Sequence, residues 1–363
     1  MLERLFQRID LTFLTVTVLI LGISVLALFS VANSEQSHKA DLYKKQLLWI
    51  AIGIVLMIAV LLVDYHLLSD FSYIIYGVSV GALMLTLLFG RIISGSKSWI
   101  ALGPFNVQSS ELAKVSVILL LATFLARRSG GKLGFTGMLW LVLIAGLPVG
   151  LILLQPDLGT ALTYFPILLT GIFLSGIRFR TLVILVIIIL IMMPVAWFFL
   201  KNYQKERIYT VFDPSRDPAG SGYQLIQSRI AVGSGMLFGK GLFSNTQSRL
   251  DFLPAQHTDF ILSVFAEVAG FIGVVFILLL YGILYHRMIN TAQVARDRLG
   301  LFICMGIFSM LAFQTFINMG MVLGLLPTIG VPLPLLSYGG SSVVSTMLAL
   351  SLVMNVRMNR FAN

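Results

Sequence analysis

The sequence predicts an all-α polytopic membrane protein, on three observations. Of 363 residues, 58% are hydrophobic and only 11% are charged, whereas a soluble globule carries about 25% charged residues. The apolar residues fall into blocks of roughly 17 to 25, the length a helix needs to cross a hydrocarbon core of about 30 Å. The basic residues lie largely in the segments between blocks, where they set topology. The net charge of +10 is therefore a membrane signal, and no nucleic-acid partner is expected.

Blocks and breakers place about ten spans, at 11–33, 46–63, 71–90, 110–126, 136–154, 159–176, 181–200, 259–285, 299–323 and 338–356. Residues 1–363 read as one transmembrane domain. The first block is too long for a signal-peptide core and no small-residue cleavage pattern follows it, so no cleavable signal is expected. Spans five and six are joined by the tight turn "QPDLGTA", and spans six and seven by "GIRFR", which forces a helical hairpin. With the N-terminus cytoplasmic, twelve basic residues fall on the cytoplasmic side and five (Lys39, Lys44, Lys45, Arg91 and Lys97) in short loops opposite. Both termini are accordingly expected in the cytoplasm. Cys304 lies within an apolar block, a small buried hydrophobe with no partner for an internal disulfide.

Two external loops stand out. One is 91–109; the other, 201–258 between spans seven and eight, far exceeds what joining two helices requires. Its mixture of aromatics, glycines and "DP" turns suggests short amphipathic helices and re-entrant turns on the outer surface. Between spans nine and ten, "GLLPTIGVPLPLLSYGGSS" breaks the helix with three prolines and a glycine pair. Irregular backbone at that depth persists only where it is buried in protein or lines a cavity. No sustained internal repeat supports an inverted-repeat transporter.

Ionisable groups inside a bilayer are costly and mark functional candidates. Glu111 and Lys114 are three residues apart on one helical face and can pair, either as a staple or as part of a site. Asp157 can cap the sixth helix or line a cavity. Asp259 stands at the outer mouth of the eighth span, as an N-cap or a catalyst, with Glu267 two turns deeper. The histidines show no metal-ligand spacing. The long loop carries Lys201, Lys205, Arg207, Arg216, Arg229, Lys240 and Arg249 among glycines at 220, 222, 233, 235, 239 and 241. Such a loop suits a diphosphate, or simply lipid headgroups.

Five stretches carry a resemblance: "GSKSWIALGPFNVQSSELAK", "QPDLGTAL", "RIYTVFDPSRDPAGSGYQLIQSRIAVGSGMLFGKGL", "TQSRLDFLPAQHTDFILSVFAEVAG" and "LPTIGVPLPLLSYGGSS". Together they resemble the SEDS family (shape, elongation, division and sporulation), in family order over essentially the whole chain. "VPLPLLSYGG" is similar to its elongation-type, RodA-like branch.

The resemblance implies a peptidoglycan glycosyltransferase that polymerises lipid II at the outer face of a bacterial inner membrane. It implies Asp259 as general base, with Arg207, Lys240, Arg229 and Lys114 as candidate diphosphate contacts and Glu111 orienting Lys114. It also implies a class B penicillin-binding protein as partner, alongside other elongation-complex membrane proteins. A divalent cation (Mg or Mn) held in part by Asp259 is compatible with a diphosphate leaving group, and no organic cofactor is expected. The chain departs from the family pattern at Ser98, Ser109, Ala255 and Val268. The competing reading is a lipid II flippase, which needs polar groups along the full depth of a cavity; here the ionisable groups cluster at the outer end.

Overall fold

The computed structural model describes residues 9–32, 41–128 (Ser94 and Pro104 apart), 134–176, 202–242 (Ala219 apart) and 255–361, with isolated positions between 183 and 198. The expected seventh span, with Arg178 and Arg180, lies almost wholly outside these residues, as do Lys201 and Arg249.

Among the described residues, eight helices are long and apolar enough to cross a membrane. They are α1 (Leu11–Ala32), α2 (Leu42–Leu61), α4 (Ser72–Phe89), α5 (Ser109–Arg127), α6 (Phe135–Leu154), α11 (Ile261–Gln293), α12 (Arg298–Val322) and α13 (Gly340–Met358). The short α3 (Tyr65–Asp70) precedes α4. The expected sixth span is two shorter helices, α7 (Leu158–Leu162) and α8 (Tyr164–Leu174), divided at Thr163. The 201–258 segment contains two amphipathic helices as expected, α9 (Asn202–Phe212) and α10 (Ser221–Ser234).

The purely helical expectation misses one element. Loop 91–109 folds as a three-stranded antiparallel meander, β1 (Arg91–Ile93), β2 (Ser96–Leu102) and β3 (Phe105–Gln108), with Trp99 opposite Gln108. At the membrane surface a chain leaving one span and entering the next must satisfy its own backbone groups, and a hairpin ladder does so locally.

Two central helices organise the bundle. α13 is 89% and α5 78% buried within the protein, against 17% for α2 and 22% for α4. The inner helices carry the buried polar side chains, among them Ser116 and Thr123 of α5 and Thr346, Ser351 and Asn355 of α13, and the outer ones present leucine, valine and phenylalanine to lipid. α13 packs along α2, α4 along α5, and α12 against α5 and α8.

Ion pairs define one end of the bundle. Asp10, just before α1, accepts a hydrogen bond from Arg287 near the end of α11 and forms an ion pair with Arg357 at the end of α13. Beside them His66 bridges two carboxylates, Nδ1 to Asp64 at 2.8 Å and Nε2 to Asp297 at 2.6 Å. Asp64 caps α3 through the His66 amide, and Asp297 caps α12 through the Gly300 amide. The sheet, the α9–α10 segment and the 323–339 loop all lie at the opposite end, where Gln108 meets Ser341 and Arg207 meets Thr328.

Carboxylates accept and never donate, so His66 makes both bonds only as imidazolium. Burial alone would lower its pKa, but the bonds to Asp64 and Asp297 outweigh burial and hold it above the usual histidine value. Its stabilising contribution is therefore complete below about pH 6.5 and is lost as pH rises through the raised value. Melting of detergent-solubilised protein should show a gap between wild type and His66→Asn at about pH 6 that closes toward about pH 9. A gap independent of pH would contradict the doubly bonded imidazolium.

Candidate active site

The site is assembled around a loop that cannot be helix. Residues 323–339 carry Pro327, Pro332 and Pro334 and run as irregular backbone, yet Leu333, Leu335 and Leu336 are fully buried. Its buried stretch has no access to solvent, and the loop draws on side chains from elsewhere in the fold. Ser24 of α1 donates to the Leu336 carbonyl at 2.7 Å, and Gln46 of α2 to the Ser337 carbonyl at 3.4 Å. Tyr281 of α11 donates to the Pro334 carbonyl, and Asn318 of α12 to the Val331 carbonyl. Arg229 donates to the carbonyls of Leu323 and Gly324, and Arg207 to that of Thr328 at 2.9 Å.

The loop presses on two acidic stretches. At Gly159, an added Cβ would stand 2.6 Å from the Ile329 carbonyl, so only glycine lets the 155–160 turn approach. At Gly330, a Cβ would stand 3.5 Å from Asp259 Oδ2. Asp157 and Asp259 thus flank the same loop.

Asp259 lies in the turn 255–260 that precedes α11, outside the span itself. The N-cap of α11 is Phe260, with no side-chain cap bond, so Asp259 is not the helix cap. Among the described residues no hydrogen-bond donor engages its carboxylate, which leaves both oxygens available. Burial pushes this half-buried carboxyl up to about 6; the Arg207 guanidinium opposes the rise and the Asp157 carboxylate adds to it.

Asp157 is committed differently. It caps α7 through the Thr160 amide (3.1 Å), accepts from the Thr160 hydroxyl (2.9 Å), and accepts from Gln108 Nε2 (2.9 Å) at the end of β3. Burial raises its pKa, countered by the bonds from Thr160; Glu111 raises it further and Lys114 lowers it. The meander therefore has a task in the site: it delivers Gln108.

Glu111 and Lys114 pair at 2.8 Å in the first two turns of α5, both essentially inaccessible, and Ser345 of α13 donates to the second Glu111 oxygen at 3.1 Å. The pair sits within electrostatic reach of Asp157. It stands behind the site and meets it through Asp157.

Two of the loop cations serve the fold. Arg229 closes the end of α12, as described. Lys240 Nζ pairs at 3.1 Å with Glu267, which is fully buried in α11. α11 is broken at Gly270, where φ is 67°, a value natural only to glycine. The turn 235–241 fills the break: Lys240 and Gly241 amides donate to the Glu267 and Val268 carbonyls, and the Met236 and Leu237 carbonyls accept from Phe271 and Ile272. The expected span 259–285 is thus Ile261–Gln293, interrupted one-third of the way along.

The four departures occupy distinct settings. Ser98 is buried in β2 with its hydroxyl on Ser96. Ser109 opens α5 and shares a hydrogen bond with Thr86 that a proline could not make. Val268 is buried beside the break, and Ala255 is exposed with φ 52°.

Gln108, Ser337 and Asn318 are uncharged and do not stand out among the ionisable groups of the sequence. The available signal was an amide inside an apolar block, "FINMG", which is as conspicuous as a charge when every neighbour is apolar.

Removing one member of the buried pair leaves an uncompensated charge. Lys114→Met should cost about 3–5 kcal/mol, and the double replacement Glu111→Gln with Lys114→Met should recover most of that loss. A thermal-unfolding cycle on the three variants measures both.

Residues 9–361 match the FtsW/RodA/SpoVE family of cell cycle proteins. The chain is 37% identical over 355 residues to the peptidoglycan glycosyltransferase MrdB of Escherichia coli K12, covering 97% of this chain and 94% of that protein. It is 38% identical over 357 residues to the stage V sporulation protein E of Bacillus subtilis 168, with 96% of each covered. Among solved structures it resembles a chain of a peptidoglycan synthase complex described as coordinating polymerization and crosslinking. That match has TM-score 0.82, 31% identity and coverage of 98% of this chain and 99% of that one. The crystal structure of Thermus thermophilus RodA matches with TM-score 0.74 at 30% identity, covering 98% of each chain. With nearly its full length matched in sequence and in fold, the chain is a multi-pass membrane protein that belongs to the FtsW/RodA/SpoVE family.

Proposed function

We propose that this chain is a peptidoglycan glycosyltransferase of the elongation branch, polymerising lipid II at the outer face of the bacterial inner membrane, with Asp259 as general base. The observation that carries the assignment is a half-buried carboxylate at the mouth of a span, unclaimed by any donor among the described residues. Its pKa of about 6 lies close to operating pH, where a base is both ionised and able to take a proton.

In this reading the 4-hydroxyl of an incoming lipid II gives its proton to Asp259 as its oxygen bonds to the anomeric carbon of the growing strand. The bond from that carbon to the undecaprenyl diphosphate breaks with inversion, and the electron pair leaves on the diphosphate. Such a base contributes about 10²–10⁴-fold. Arg207, anchored on Thr328 and within electrostatic reach of Asp259, is the loop cation placed to meet the diphosphate. Lys114, Lys240 and Arg229 act one step back, holding the elements that carry the site.

A divalent cation fits this donor set in a limited way. Among the described residues no three His, Cys, Asp or Glu side chains form a metal cage. Mg²⁺ needs only one or two carboxylates when substrate phosphates complete its shell, and Asp259 offers one. When bound, it would neutralise charge on the leaving diphosphate.

The partner suggested by the solved synthase complex is a class B penicillin-binding protein, whose transpeptidase would cross-link the strand. The orientation, with both termini cytoplasmic, is supported by the arginine-rich end of the bundle lying opposite Asp259.

Purified Asp259→Asn with labelled lipid II should lose polymer by at least about 10²-fold, read as strand length on a gel. Near-normal polymer would sink the assignment, and lipid II transport without polymer would favour the flippase. In wild type the rate should rise with pH through about 6 as the carboxyl ionises. Arg207→Gln removes the charge that holds the Asp259 pKa down, so its acid limb should move to higher pH.

A further inference from the structure

We propose that Asn318 and Ser337 are positioning residues for glycosyl transfer, clamping the backbone at Asp259 so that its carboxylate is presented in one place. The inference rests on Asp259 being the general base.

The hydrogen-bond ladder of α11 begins at Phe260, whose carbonyl accepts from Ser263 and Val264. The three carbonyls before it, those of His257, Thr258 and Asp259, have no helical donor. Each is taken by a group from outside the turn. The Tyr338 amide donates to the His257 carbonyl at 2.9 Å, the Ser337 hydroxyl to the Thr258 carbonyl at 2.7 Å, and Asn318 Nδ2 to the Asp259 carbonyl at 2.8 Å. Three consecutive peptide planes are thereby fixed, and the side chain on the last of them is the carboxylate that accepts no hydrogen bond from the described residues.

The donors of both side chains are fully used. Asn318 Nδ2 donates a second bond, at 2.8 Å, to the Val331 carbonyl, so one amide ties α12, the Asp259 turn and the proline loop together. Both partners are carbonyls, which dictates that the nitrogen faces them. Asn318 Oδ1 is then buried with no donor among the described residues. A buried acceptor without a partner is costly, and a leucine in this apolar span would avoid the cost. What the asparagine returns is the pair of donors. The Ser337 hydroxyl gives its proton to Thr258 and accepts the Leu333 amide at 2.8 Å, closing the loop on itself beneath the turn. The loop is in turn held by Ser24, Gln46 and Tyr281, so the clamp is referenced to three further spans. Beneath the carboxylate is Gly330, where a Cβ would already touch Asp259 Oδ2. Release of the clamp lets the turn rotate against that floor.

Displacement of a catalytic group by about 1 Å can cost about 10²-fold in rate. The test uses full-length protein in nanodiscs with labelled lipid II, with rates expressed per folded molecule from the cooperative melting fraction. Asn318→Ala and Ser337→Ala should each lower kcat by about 10- to 100-fold while KM stays within about two-fold. Their acid limb should move away from the wild-type position near 6. Ser337→Thr, which keeps the hydroxyl, should restore most of the rate.

Wild-type kcat and an unmoved pH profile in both alanine variants would overturn the clamp, and Asp259→Asn inactive in the same assay would leave the general-base reading standing. Active Asp259→Asn would overturn both. Should Asn318→Ala fail to fold, the Ser337→Ala and Ser337→Thr pair decides: equal rates refute positioning, and rescue by threonine supports it.

Discussion

The structure depends on one constraint, that a non-helical backbone inside a membrane must find every hydrogen bond it needs within the protein. Residues 323–339 are such a backbone, and their carbonyls are served by Ser24, Gln46, Tyr281, Asn318, Arg207 and Arg229. These six donors come from α1, α2, α9, α10, α11 and α12. The packing of the bundle is thus registered on a loop, where soluble domains usually hang loops on a packed frame. The site forms where that loop meets the turn at Asp259 and the turn at Asp157.

Much of this was legible in the chain because membrane physics leaves few solutions. Apolar block length marks spans directly, and eight of them stand where expected. The i,i+3 spacing of Glu111 and Lys114 announced a pair, and the proline-rich break announced irregular buried backbone. Asp259 drew notice because a carboxylate at the edge of a long apolar run must be explained.

The illegible parts share a cause: their partners are backbone atoms, which no sequence labels. Arg229 and Arg207 looked alike as loop cations, yet Arg229 ends on carbonyls at the end of α12 while Arg207 also stands within reach of Asp259. Lys240 found a buried glutamate, Glu267, 27 residues away. The meander at 91–108 escaped notice because "SKSWIAL" alternates too weakly to declare a strand. Asn318 carries no charge, and its two partners are carbonyls of a turn and a loop elsewhere in the chain.

The break in α11 has a mechanical meaning. The piece from Ile261 to Ala269, about 14 Å of helix, meets the rest of its span at Gly270, and the turn 235–241 bridges the break. Two of its backbone hydrogen bonds and the Lys240–Glu267 pair reach the upper piece, and two more reach Phe271 and Ile272 of the lower piece. A displacement of α10 or of the turn after it therefore acts on both sides of the break at once. The head of the span, with Asp259 before it, is coupled to the external segment as directly as to its own helix.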